Sequence, residues 1–180
     1  MTILILAMLG VALTASAAAP LAELAVGDPL PPLKGEFLSG RTAVLPQAAS
    51  VHVALLMLGF TYDSRFQVEA WAKRFRQDFG TKPGVTFFEI PMIGGMARMG
   101  KWFIDSGMRR GTPKADHENV ITVYGGTDPW KQRVGLNDPK AAHLILIDQR
   151  GRVAWRSAGS LDEQRYSALS SEVSRLLSAN

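Results

Sequence analysis

Pro139 to Gly159 reads PKAAHLILIDQRGRVAWRSAG. His143 to Asp148 is a nearly unbroken apolar run, and Gln149-Arg150-Gly151 is a turn. Arg152 to Trp155 then returns as a second strand, so the two runs form a β-hairpin. Ser160-Leu161-Asp162-Glu163 follows at once as a capping box. It opens a helix that carries Leu161, Leu169, Val173, Leu176 and Leu177 inward. The end of the chain is therefore strand, turn, strand, helix.

Upstream the same alternation continues. Val51 to Gly59, VHVALLMLG, is a continuous apolar run bounded by a turn, as expected of a central strand covered on both faces. Asp63 or Ser64 is placed to cap a helix with apolar residues at Val68, Trp71, Ala72, Phe75 and Phe79, ending near Gly80. Val85 to Ile90, VTFFEI, predicts a second buried strand. A helix is expected from about Ile93 to Gly107, and a third strand over Asn119 to Tyr124. A short helix follows over Asp128 to Val134, with Asp128-Pro129 as its N-cap and first turn. Thr42 to Leu45 is a short strand. Three prolines keep Gly27 to Leu33 out of any helix. This order predicts an α/β fold with a mixed β-sheet flanked by helices in a single domain.

The chain has 180 residues and no cysteine, with formal charge +4 and a pI near 9.6. One core is expected, and disulfides are excluded. The basic residues are dispersed rather than massed, which describes a solvated surface. No nucleic-acid partner is expected, and a modest attraction to acidic partners or anionic headgroups is. Ile3 to Ala19, ILILAMLGVALTASAAA, is uncharged and ends in small residues. It reads as a signal peptide cleaved after Ala17 or Ala18, or as an N-terminal anchor, although no Lys or Arg precedes it. The expected division is leader 1–19, a Pro/Gly-rich lead-in 20–41, and a domain 42–180. Export to the periplasm, or tethering to the membrane by the leader, follows from that reading.

The opening Val26-Gly-Asp-Pro-Leu-Pro, the core strand Val51 to Phe60 and the hairpin from His143 resemble the thioredoxin-like and peroxiredoxin-like superfamily. Leu136-Asn137, the run LILID-QRG-RVAWRSAG and the helix Leu161 to Leu177 resemble more narrowly the mitochondrial ATP synthase assembly-factor family. That resemblance implies a thioredoxin-like fold without redox cysteines and a role in assembling the membrane sector of the synthase. In redox-active relatives a cysteine lies at the turn after the first core strand. Here the turn reads Gly59-Phe-Thr-Tyr-Asp-Ser64, with a hydroxyl in place of the thiol. Thiol chemistry requires a thiolate, so this chain does not run it. The position of the family's cis-proline falls on Ala142, and Pro139 lies three residues too early.

The candidate surface is the vacated active-site region, Phe60, Thr61, Tyr62 and Ser64 together with Ala142 and His143. A second candidate is Met92, Met96, Met99 and Phe103, spaced as one face of a helix, with Trp102 beside it and Arg109 and Arg110 at its end. Methionine is suited to varied apolar helices, and a basic amphipathic helix also rests on anionic headgroups. Each residue has a plainer role: Ser64 as a cap, His143 bonded to a backbone group, the Met face packed on the sheet. Asp116-His117-Glu118 is too local for a metal site, and no cofactor fingerprint is present. The sequence therefore predicts a non-catalytic protein-binding domain, an assembly factor or chaperone for a membrane complex. The other reading is a redoxin-like enzyme descendant with non-thiol chemistry at Thr61, Ser64 or His143, which requires a convergent polar pocket.

Overall fold

A computed structural model describes residues 21–179; the leader 1–19 lies outside them. One seven-stranded mixed sheet organises the chain, in the order β2-β1-β5-β4-β3-β6-β7. The strands are β1 (Leu33–Phe37), β2 (Thr42–Leu45), β3 (Val53–Gly59), β4 (Val85–Ile93), β5 (Ile121–Tyr124), β6 (His143–Ile147) and β7 (Val153–Ala158). β3, β4 and β5 run parallel, and the pairs at either side of this centre are antiparallel. The stretch 20–41 is more than a lead-in, because it supplies β1. It also straps residues 24–30 across the sheet end: Gly27 N–H donates to Val153 O at 2.7 Å and Leu30 N–H to Gly151 O at 2.9 Å.

Strand alternation divides the interior into two layers. Leu56, Leu58, Phe88, Ile90, Met92, Ile145 and Ile147 share one layer with Leu33 and Phe37 of β1, Ala43 and Leu45 of β2, and Trp130 and Val134 of helix α3 (Thr127–Val134). Val53, Leu55, Met57, Phe87, Leu144 and Leu146 face helices α1 (Ser64–Phe79) and α4 (Glu163–Ser178). Helix α1 buries Val68, Trp71, Ala72, Phe75 and Phe79, the residues its periodicity selects. The hairpin turn is closed by Asp148, whose Oδ1 accepts from the amides of Arg150 and Arg152 at 2.9 and 2.8 Å.

Four local expectations are corrected. Ile93 to Gly107 is not one helix: β4 runs to Ile93, a 3-10 turn covers Gly95–Gly100, and helix α2 spans Lys101–Gly111. The cap of α4 is Asp162, which accepts from Arg165 N–H, and not Ser160. Neither Asp63 nor Ser64 caps α1 with its side chain; Thr61 Oγ1 accepts from Ser64 N–H at 3.3 Å instead. Asp128 lies inside the first turn of α3, after a left-handed Gly126.

Candidate functional site

Gly59 ends β3 where the chain turns into α1. A Cβ on it would lie 2.8 Å from Ser64 Oγ, so the first turn of α1 closes directly onto the strand end. Ser64 is fully buried there. Its hydroxyl donates to Thr61 O at 2.7 Å and accepts from Thr61 N–H at 3.2 Å. Thr61 Oγ1 in turn donates to Pro139 O at 2.9 Å. Both hydroxyls are committed to holding the turn.

Ala142 and His143 are buried and present no open surface, a correction to the expected groove. The Ala142 amide donates to Gln67 Oε1 at 3.1 Å, so even its backbone donor is satisfied internally. His143 shares a sheet face with Ile145 and Ile147, opposite to the face covered by α1. Its ring stands edge-on to Phe60 at 5.7 Å, and Nε2 has no hydrogen-bond partner among the described residues. Burial holds its pKa below the ordinary histidine value. Ser64 and His143 therefore do not converge into a nucleophile and base.

The open site lies elsewhere. A groove of about 750 Å³ runs between the start of α1, the C-terminal half of β4 and helix α2. Phe60, Thr61, Tyr62, Ser64, Met92 and Phe103 line it, so part of each candidate set meets here. Helix α2 turns Phe103, Ile104, Gly107, Met108 and Gly111 toward the groove. Those positions form one helical face. Asp105 is the residue α2 buries. Its Oδ1 accepts from Tyr124 Oη–H at 2.6 Å and its Oδ2 from Lys101 Nζ at 2.7 Å. Lys101 also reaches Glu36 at 3.1 Å, and Arg109 Nε donates to Leu38 O at 2.7 Å. The helix is thus held to the sheet by polar contacts, and its apolar face is left to the groove.

The expected methionine stripe is divided between elements. Met92 is buried in β4 within the core, whereas Met99 is 81 % exposed ahead of α2; the side chain of Met96 lies outside the described set. Trp102 and Phe103 are 72 % and 75 % exposed and pack edge-to-face at 4.9 Å. At the other rim Tyr62 meets Phe66 at 6.4 Å. Arg65 lies over both rings, at 4.1 and 4.5 Å. Arg110 is exposed and bonds Ser106.

Glu89 was not anticipated. It interrupts the apolar face of β4 between Phe87 and Pro91, pairs with Met57 across the sheet, and opens into the groove. It has no ion pair or side-chain hydrogen bond among the described residues. Burial pushes its carboxyl up to about 7, partly opposed by Arg76 and reinforced by Glu69 and Asp116. The available signal was one charge inside VTFFEI, a strand otherwise read as buried. Asp116, His117 and Glu118 are occupied separately, by Arg76 at 2.6 Å, by Thr112 O at 3.1 Å and by Arg41.

No family model and no curated protein matches the chain. Solved structures do. A peroxiredoxin-like protein from Aquifex aeolicus aligns with a TM-score of 0.56 at 18% identity, over 86% of this chain and 90% of its own. A thiol peroxidase from Chromobacterium violaceum gives 0.55 at 17%, over 87% and 92%. A Chlorobium tepidum protein provisionally described as the thiol:disulfide interchange protein DsbE gives 0.58 at 14%, over 86% and 99%. Two of these three are named for thiol chemistry, and this chain has no cysteine. By fold, the chain is a thioredoxin-like α/β domain built without the sulfur on which that chemistry depends.

Proposed function

We propose that this protein is a non-catalytic thioredoxin-like domain that binds another polypeptide in the groove between α1 and α2. The observation that carries this reading is helix α2, fixed by a polar tether while its apolar face lines an open cavity. An apolar occupant completes the layer that α2 leaves unfinished, and burying that face supplies the affinity. The engaged hydroxyls of Thr61 and Ser64, and His143 on the opposite face, support binding over a non-thiol enzyme.

The finer role is assembly of a membrane complex, with the ATP synthase membrane sector as the partner. It draws on the resemblance of 136–177 to the assembly-factor family. The apolar leader supports action at the membrane, exported or tethered, and exposed Met99, Trp102 and Phe103 beside Arg110 are suited to contact with its surface. No helix among the described residues is long and apolar enough to cross a membrane.

A photo-cross-linking residue at Phe103, used in the native cells, tests both levels. Gly107 lines the groove and a Cβ on it meets open space, so Gly107→Phe directs a bulky side chain at the groove. Polypeptides are expected to be trapped from Phe103, and trapping is expected to fall about tenfold in a Gly107→Phe background. A membrane-sector subunit among them supports the assembly role; only unrelated polypeptides remove it. Trapping unaffected by Gly107→Phe removes the groove as the binding site.

A further inference from the structure

We propose that the groove takes an apolar polypeptide segment bearing one lysine or arginine, whose cation seats on the Glu89 carboxylate. The proposal rests on the groove being a binding site and names the chemistry of its occupant.

A carboxyl in an apolar cleft without a partner is a costly arrangement, relieved by a cation delivered with the occupant. Neighbouring elements leave that role open. From α1, Glu69 adds negative charge and Arg76 is engaged with Asp116 at 2.6 Å. Arg65 is held over Tyr62 and Phe66 at the mouth. Helix α2 offers Phe103, Ile104 and Met108 to the cavity, none of them charged. After Glu89 the strand gives Pro91 and Ile93. From the 3-10 turn before β5, Asp116 is paired and His117 is bonded to Thr112 O. The local field is thus negative at the floor and apolar on the walls, which selects a long side chain with a cationic tip.

The occupant is longer than the cavity. Apolar surface continues outward from both rims, through Tyr62 and Phe66 on one side and Phe103, Trp102 and Met99 on the other. A small amine would leave those rings uncovered. A polypeptide crossing the groove covers both rims while one side chain descends to Glu89.

A cation bound at Glu89 favours the ionised carboxylate, so affinity rises with pH through the region near 7 where the free carboxyl titrates. The test uses fluorescein-labelled peptides of about twelve residues, rich in Leu, Val and Ser, with a central Lys, Gln or Glu, read by anisotropy. At about pH 8 the Lys peptide is expected to bind wild type about tenfold tighter than the Gln peptide. That preference is expected to shrink toward unity at about pH 5.5, and to vanish in Glu89→Gln and Glu89→Leu. The Gln peptide should bind these variants at least as tightly as wild type. Equal binding of Lys and Gln peptides, displaced by Gly107→Phe, overturns the cation site and leaves the groove as a binding site. No binding of any peptide overturns the groove reading, and the cation site with it. Binding of dodecylammonium with no peptide bound overturns the polypeptide occupant.

Discussion

At the level of single residues, Glu89 and Ser64 define the chemistry at the end of β3 and in the groove beside it. Glu89 carries a folded-state pKa of about 7 against an ordinary 4.5, so the folded protein prefers the neutral acid. Below about pH 4.5 both states are protonated and the residue costs nothing. Between the two values only the unfolded chain ionises, and stability drains away as pH rises; above about 7 the full cost remains, about 3 kcal/mol. Glu89→Gln should therefore match wild type near pH 4.5 and exceed it by about 2 kcal/mol near pH 8, measured by urea unfolding at both values. The difference between the two proteins is the readout, because His143 titrates too. Its lowered pKa adds stability above its ordinary value of 6.5 that is lost as pH falls through and below it. An equal gain at both pH values would falsify the buried-acid account. Ser64 is the second group. Its position echoes that of a peroxidatic thiol, yet the hydroxyl is fully buried and bonded twice to Thr61. A thiol there has no base and no access, so Ser64→Cys should keep its sulfur from Ellman's reagent, reacting about a hundredfold slower than in the urea-unfolded chain. Rapid labelling of the folded variant would mean that the turn after β3 opens to solvent.

Among the elements, α2 is the one that departs from ordinary packing. The other long helices, α1 and α4, each bury an apolar stripe; α2 buries Asp105 and is pinned through Tyr124, Lys101 and Arg109. Its stability therefore rests on a polar clamp rather than on the core, and it should open locally at a free energy below that of global unfolding. Removing the Tyr124 hydroxyl deprives the buried carboxylate of its shortest bond, at about 1–2 kcal/mol. Tyr124→Phe is expected to speed hydrogen exchange about tenfold across 101–111 while leaving the α1 amides unchanged. Uniform acceleration across both helices would instead place α2 in the global cooperative unit. The same element explains where sequence reading failed. Met92, Met96, Met99 and Phe103 fall at helical intervals, but β4 outlasts its VTFFEI core by three residues and absorbs Met92. A strand that alternates sides and a helix that repeats every three to four residues both allow an apolar residue at 92. By contrast, α1 and the His143 hairpin were legible, since their long apolar patterns are bounded by clear turn signals.

Across the whole molecule, the strands and layers follow from local pattern, whereas the groove does not. It exists because α1 and α2 stand apart beside β4, and nothing within either helix encodes their separation. Glu89 was invisible for the same reason: only the cavity above it distinguishes it from a charge at a strand edge. In the N-terminal segment the prolines announce irregular backbone and not where that backbone is anchored. The structure shows its anchor in Arg156. One guanidinium in β7 donates to Leu24 O, to Val134 O at 2.9 Å and to Glu23 at 3.1 Å. It thereby joins residues 23–24, the end of α3 and an edge strand. Truncating it leaves two carbonyls without their donor and loosens the strap 24–30, which uncovers Leu24 and Leu30 in the core layer shared with α3. Arg156→Ala should cost about 2–3 kcal/mol and lower Tm by about 5–10 °C. Arg156→Lys should recover only part of that loss, since a point charge cannot reach three acceptors at once. Full recovery by lysine would show that the strap is held by charge alone and not by the geometry of the guanidinium fork.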